Sequence, residues 1–332
     1  MSHAPHWWFT AQSTPSWQAQ ALRPLGWLYG KATAARIAKG GGYRASVPVI
    51  CIGNINAGGT GKTPSAIWLN EVLSARGLKV AIVSRGHGGS LQGPVQVDPN
   101  RHTAAEVGDE PLLLAAFAPV FVARARAEAV KMAEASGAQV ILLDDGFQNP
   151  SVARDLNIVV VDAYRGFGNG LCLPAGPLRE PVDVGMKRAD LVLSIGDPEA
   201  QERFSGIWGA SLGAVPRQQA KLVPLQMGMG FAGERVIAFA GIGHPEKFFA
   251  TLQAEGAELG GTVALGDHQP FERALLTRLE SEARLRGAQL VTTEKDAVRL
   301  PPSFRPKVLT LPVRLQPLGG SEALNAALDR VL

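Results

Sequence analysis

Gly58, Gly59 and Gly61, followed at once by Lys62 and Thr63, are the residue types that hold a phosphate chain. Glycines let backbone N–H groups turn toward an anion, a helix start adds partial positive charge, and a lysine reaches the outer phosphates. Asn56, Ala57 and Thr60 complete the loop, and the Thr63 hydroxyl is placed to ligate Mg²⁺. A P-loop wants glycine five residues before Gly61, where Asn56 stands; asparagine tolerates left-handed backbone better than most residues, so the loop is expected to be intact. Downstream, Val140–Leu143 is an aliphatic run ending in Asp144 and Asp145. A P-loop enzyme holds Mg²⁺ or its water shell with a carboxylate at such a strand end, and adjacent aspartates repel unless a cation or donors offset them. Arg85, before Gly86-His87-Gly88-Gly89, either meets phosphate or is a solvated loop residue.

These residues need strands that end together and helices that start there. Val47–Ile52 reads as a buried strand, and Ile67, Leu69 and Leu73 mark the helix after the loop. Lys79–Arg85 is a second strand, Leu91–Ala105 a loop, and Gly108-Asp109-Glu110-Pro111 a helix start in which Asp109 reads as an N-cap and Pro111 as a first-turn proline. Val120–Ala123 is a short strand and Arg124–Ser136 a helix exposing Arg124, Arg126 and Lys131. Leu156–Asp162 and Ala189–Ile195 are further parallel strands, the latter ending the sheet. The fold class is α/β, a P-loop core with a mostly parallel sheet. Residues 162–181 are too rich in Gly and Pro for helix or central strand and read as an ordered functional loop, with Arg165, Asn169, Arg179 and Glu180 as polar handles. Gln201–Gly230 reads as a small β-linker. The α/β rhythm then resumes through strands Val236–Ala240, Thr262–Leu265, Gln289–Thr293 and Lys307–Leu311, with helices Pro245–Gln253, Phe271–Arg286 and one from Ser321. This divides the chain into 1–45, a core 46–230 and a smaller C-terminal α/β domain 231–332. The last part holds Asp267-His268, where a lone loop histidine is more often unremarkable than catalytic, and Thr293-Glu294-Lys295-Asp296.

At 332 residues the chain is about two domains long, and 46% hydrophobic against 19% charged content gives a core and excludes global disorder. Two cysteines, Cys51 and Cys172, give no disulfide framework, and a net charge of +4 does not argue for nucleic acid. Distribution says more. Residues 1–46 carry Arg23, Lys31, Arg36, Lys39 and Arg44 with no acid, together with Trp7, Trp8, Trp17, Trp27 and Tyr29. There is no secretory signal and no run long enough to span a bilayer. Aromatics mixed with cations suit either an interfacial helix on an anionic membrane surface or a helix packed on the protein's own core.

Taken together, the motifs resemble the tetraacyldisaccharide 4'-kinase family. The matching pieces are Ile52-Gly53-Asn54, Gly58–Pro64, Ser84–Gly89, Gly108–Pro111, Asp144–Gln148, Arg165–Gly170, Leu173–Glu180, Asp267-His268 and Thr293–Asp296. They stand in the family's order and cover about Leu25 to Leu300. His87 departs from an expected aromatic, and Phe147 from a common leucine. The resemblance implies ATP- and Mg²⁺-dependent phosphorylation of the 4'-hydroxyl of an acylated disaccharide 1-phosphate. The place implied is the cytoplasmic face of the bacterial inner membrane, with the N-terminal segment on its surface and no protein partner. It also implies that the C-terminal domain closes over the nucleotide, that Asp109 is the proton acceptor and that His268 is its orienting partner. Lys62 neutralises the γ-phosphoryl, while Thr63, Asp144, Asp145 and Glu110 belong to the metal side. Arg165, Asn169, Arg179 and Glu180 are second choices for substrate. A membrane-associated switch ATPase of the division or partitioning type is the alternative; it would have no use for Leu173–Glu180.

Overall fold

The computed structural model describes residues 4–225, 230–266 and 269–332. After a 3₁₀ turn, His6–Phe9, the chain forms α1 (Trp17–Ala38), capped by Ser16, whose side chain accepts from the Ala19 N–H. The core then runs β1 (Val49–Gly53), α2 (Lys62–Ala75), β2 (Val80–Ser84), β3 (Val95–Gln96), α3 (Ala104–Val107) and α4 (Asp109–Leu114). It continues with β4 (Val120–Val122), α5 (Arg126–Ala135), β5 (Val140–Asp144), β6 (Leu156–Asp162), α6 (Val182–Met186), β7 (Leu191–Ile195), α7 (Pro198–Leu212) and β8 (Arg217–Pro224). A second set follows: β9 (Arg235–Ala240), α8 (Pro245–Ala254), β10 (Glu258–Ala264), α9 (Arg273–Arg286), β11 (Gln289–Thr293), α10 (Glu294–Ala297) and β12 (Val308–Leu311). Last come β13 (Val313–Pro317) and α11 (Glu322–Asp329).

The large sheet has the order β13-β8-β7-β6-β1-β5-β2-β4-β3, parallel except where β13 meets β8 and β3 meets β4. Every residue of β1, β2, β5 and β7 is buried, as a parallel sheet covered on both faces requires. Side-chain alternation divides the core in two. Ile50, Ile52, Leu142 and Val160 pack with Ile67, Leu69 and Leu73 of α2 and Leu324 of α11. Val49, Cys51, Leu143 and Val161 pack with Ala129 and Val130 of α5 and Phe204 and Trp208 of α7. Both cysteines are buried free thiols. The small sheet, β10-β9-β11-β12, is wholly parallel, with Phe248 and Leu252 of α8 on one face and Leu276 and Leu279 of α9 on the other.

Four expectations change. The sheet does not end at β7, because β8 pairs with it and β13 with β8. Residues expected as a β-linker from Gln201 begin instead inside α7, capped by Asp197 and started by Pro198. Residues 91–105 hold the short strand β3. The end of the chain, grouped by sequence with the small unit, returns to the large sheet as β13 and α11. Among the described residues no helix is long and apolar enough to cross a membrane.

The α1 helix packs one face on the protein. A Cβ on Gly26 would lie 2.7 Å from the Cys172 carbonyl oxygen, and one on Gly30 would lie 3.4 Å from Cys172 Sγ. Its other face is open, with Trp17 75%, Trp27 62%, Leu28 55% and Leu25 52% exposed. Lys31 Nζ stands 5.5 Å over the Trp27 ring. The turn before α1 grips the long loop: Trp8 Nε1 donates to the Pro174 carbonyl at 3.1 Å, and the Asn169 N–H donates to the Trp8 carbonyl at 2.7 Å.

Candidate active site

The loop between β1 and α2 is shaped from within. Buried Asn54 donates through Nδ2 to Thr60 Oγ1 at 3.0 Å, tying the two limbs together. Gly58 and Gly61 have φ of +112° and +92°, which favours glycine, and a Cβ at Gly61 would meet Ile195 Cδ1 at 2.5 Å. Asn56 fits by another route than expected. Asp145 is the only non-glycine with positive φ among the described residues, so Asn56 is not left-handed; it donates from Nδ2 to the Gly166 carbonyl at 3.0 Å. The long loop is bound to the P-loop on the other side as well. The Ala57 N–H donates to the Pro177 carbonyl at 2.6 Å and the Arg179 N–H to the Ile55 carbonyl at 2.7 Å.

That pairing delivers Arg179 to the end of β5. Its Nη1 lies 3.0 Å from Asp145 Oδ1, and Lys62 Nζ lies 3.6 Å from the same oxygen. Burial alone would raise the Asp145 carboxyl, but Lys62, Arg179 and Arg126 outweigh it and hold it below its ordinary value. Asp145 has φ +50°, a strained backbone for a non-glycine, and the turn is braced by arginines. Arg126 donates to the Asp145 carbonyl, Arg154 to those of Gly146 and Phe147, and Arg188 to that of Phe147. Asp144 is 2% exposed; its Oδ2 accepts from Ser84 Oγ at 3.1 Å, while Oδ1 has no donor among the described residues. Burial, with Glu110 and Asp145 nearby, pushes its carboxyl up to about 7 against the pull of Lys62 and the Ser84 hydroxyl.

Asp109 is buried at the start of α4, but Gly108 occupies the cap position; Asp109 is the first helical residue, and its Oδ1 accepts from the Glu110 N–H at 3.0 Å. Arg126, expected on an exposed helix face, is 6% exposed beneath Asp145. Arg85 is exposed at the end of β2. Within the long loop, Asn169 and Glu180 are buried and hold the loop itself. Asn169 Nδ2 donates to the Ala175 carbonyl at 3.0 Å, and Glu180 accepts from Gln148 Nε2 at 2.9 Å and pairs with Arg188. Arg165 leans across to the small sheet's helix α8, 3.3 Å from His244 Nδ1, with Lys247 Nζ 3.3 Å from Asp162 beside it. His268 lies outside the described residues. Sequence reasoning did not single out Arg126 as a site residue, nor Arg154 or Arg188; an isolated arginine carries no signal that it will turn inward onto carbonyl oxygens.

Strand, glycine loop, helix and the facing aspartate at a parallel strand end define a P-loop nucleotide-binding enzyme. The tetraacyldisaccharide-1-P 4'-kinase family model (LpxK) matches residues 18–332, and the chain belongs to that family. It is 59% identical over 98% of its length to the tetraacyldisaccharide 4'-kinase of Dinoroseobacter shibae, covering 96% of that protein. It is 55% identical over 99% of its length to the one from Jannaschia sp., covering 99% of it. Among solved structures, LpxK from Aquifex aeolicus, crystallised with ATP, superposes with a TM-score of 0.73 at 24% identity, covering 94% of this chain and 99% of that one. The fold is therefore that of LpxK, and family membership leaves the switch ATPase unfavoured.

Proposed function

We propose that this chain transfers the γ-phosphoryl group of ATP to the 4'-hydroxyl of a tetraacylated glucosamine disaccharide 1-phosphate. The observation that carries the reading is the joining of Lys62, Asp145 and Arg179 in one ion chain at the P-loop, with Asp144 and Glu110 beside it. Such transfer relies on positioning and charge neutralisation more than on covalent chemistry. Asn56–Thr63 cradle the phosphates and Lys62 meets the γ-phosphoryl. Asp109 accepts the proton of the attacking hydroxyl, the new O–P bond forms as the β–γ bridge bond breaks, and its electron pair leaves with ADP. His268, by the family resemblance, is the orienting partner of Asp109, and the two sheets work as a core and a closing domain, with Arg85 and Arg165 as cations at the rim.

The donor set fits Mg²⁺. The undonated, buried Asp144 Oδ1 and the raised carboxyl mark a position that a cation would relieve, and one or two carboxylates with phosphates and water are what this ion takes. Asp144 and Thr63 would hold it, with Glu110 near and Asp145 occupied by its cations. When bound, the ion would neutralise charge building on the phosphates. A multiply acylated acceptor stays in a bilayer, so the open Trp17, Leu25, Trp27, Leu28 face of α1, with its cations, supports attachment to an anionic membrane surface. The cytoplasmic face of the inner membrane is the surface where ATP is at hand.

The test is ³²P transfer from γ-labelled ATP to tetraacyldisaccharide 1-phosphate in detergent micelles. Metal-dependent lipid labelling that disappears in Lys62→Ala is the expected result; ATP hydrolysis without lipid labelling would overturn the reading.

A further inference from the structure

The run Thr293-Glu294-Lys295-Asp296 has no part in the scheme above, yet it forms the join between the two sheets. Its base is rigid. Thr293 caps α10, its Oγ1 accepting from the Asp296 N–H at 3.1 Å. Asp296 is fully buried, accepts from the Gly241 N–H at 3.0 Å and from Thr293 Oγ1 at 2.8 Å, and pairs with Arg299. So α10 is bound to the ends of β9 and β11. The next two side chains leave this base in different directions, since neighbours on a helix point about 100° apart.

Glu294 faces the large sheet's edge. Arg314 of β13 donates to it from both Nη atoms, at 2.8 and 3.2 Å, while Arg314 Nε lies 3.7 Å from Glu71 of α2 and its guanidinium sits 4.9 Å over the Phe117 ring. Lys295 faces α4, with Nζ 3.4 Å from Glu110 Oε1. Glu110 directly follows Asp109, and its N–H is the donor to Asp109 Oδ1. The α4 helix is only Asp109–Leu114, entered through Gly108 at φ +92°, so few backbone bonds hold its first turn. The cation also offsets a carboxylate whose charge is felt at Asp144.

We propose that Lys295 is a positioning residue for phosphoryl transfer: through Glu110 it fastens the small sheet to the first turn of α4 and so sets where Asp109 meets the acceptor hydroxyl. It makes no contact with substrate. The proposal rests on the reading of Asp109 as the proton acceptor.

A double-mutant cycle tests it. Misplacing a reacting group by about 1 Å lowers turnover on the order of 100-fold, so Lys295→Met should lower kcat roughly 10- to 100-fold while KM for MgATP stays within about 2-fold. Lys295→Arg should recover most of the loss. In the Glu110→Gln background the same lysine substitution should add less than about 3-fold, because this ion pair is already gone. Without nucleotide or metal, amide hydrogen exchange across residues 109–114 should speed up in Lys295→Met. A multiplicative loss in both backgrounds, a loss confined to KM, or unchanged exchange across 109–114 would overturn the proposal. Full kcat in Asp109→Ala would instead remove the base assignment, leaving the Lys295–Glu110 coupling to be read from the cycle and the exchange.

Discussion

At the scale of single residues, the site gathers four carboxylates, Asp109, Glu110, Asp144 and Asp145, and gives each a different neighbourhood. Asp145 is held charged by lysine and arginine, whereas Asp144 is buried with one undonated oxygen and a carboxyl raised to about 7. The raised group binds more protons folded than unfolded between its ordinary value and about 7, so its contribution to stability falls as pH rises through that window. Metal-free Asp144→Asn should therefore melt higher than the parent at pH 8, with the gap narrowing toward pH 5, by about 2–4 °C for each kcal/mol removed. A larger gap at pH 5 than at pH 8 would reverse the sign. Asp109→Ala should lose on the order of 10²–10⁴ in kcat, the usual share of a general base, with KM for ATP nearly unchanged. Loss of ATP binding in place of turnover would assign it to the nucleotide. The glycine-lysine-threonine run and the paired aspartates were legible because their types and spacing answer to one ligand. Arg126 was not, because a cation at helical spacing reads as a solvated face until a tertiary turn, Asp145–Phe147, presents carbonyls for it to cap. Asn56 was legible as tolerated but not in its means, a side-chain bond to a loop 110 residues away.

At the scale of elements, α1 turns its glycines onto the protein and its tryptophans outward, so packing on the core leaves an apolar face for the proposed membrane contact. Replacing Trp17 and Trp27 with glutamate should lower binding to anionic vesicles at least about 10-fold, since each ring loses its apolar burial and the acids meet like charge. Because both side chains are exposed, thermal stability in solution should hold. Equal vesicle binding by parent and variant would detach α1 from the membrane. The loop from Asp162 to Pro181 was legible as ordered because Gly and Pro forbid regular structure there, yet its main connection, the backbone bonds from residues 177–179 to the P-loop, has no sequence signature. The α7 helix was announced by Asp197-Pro198 and obscured by the glycines at 206 and 209, which stand on its surface with open space around them. Two prolines, 312 and 317, bracket β13 and hid it; an edge strand tolerates them where a central one would not.

At the scale of the whole molecule, the small sheet is an excursion from the large one. The chain leaves after β8 and comes back as β13, which pairs with β8. Two covalent crossings, with the Glu294–Arg314 and Lys247–Asp162 pairs, restrain how the small sheet can move against the P-loop. Sequence rhythm located the strands of the small sheet but not β13, so the chain's return to the large sheet went unread. A chain cut after Leu311 should show the difference: deprived of β13 and α11, it should be aggregation-prone, with an open β8 edge and the apolar patch left by Leu315, Leu324 and Leu328. A soluble, cooperatively melting product would contradict this.

The late return also has a meaning for synthesis. A ribosome makes the P-loop core early, and the strand that borders β8 emerges only after the whole small sheet has been translated. Eighty-eight residues, 225–312, separate β8 from β13, so a core that folds as it is made has one edge unpaired until the small sheet has also been translated. Translation rate across 225–312 thus sets how long that edge stays open to other chains, which makes this stretch a place where synonymous pausing or chaperone capture would affect yield.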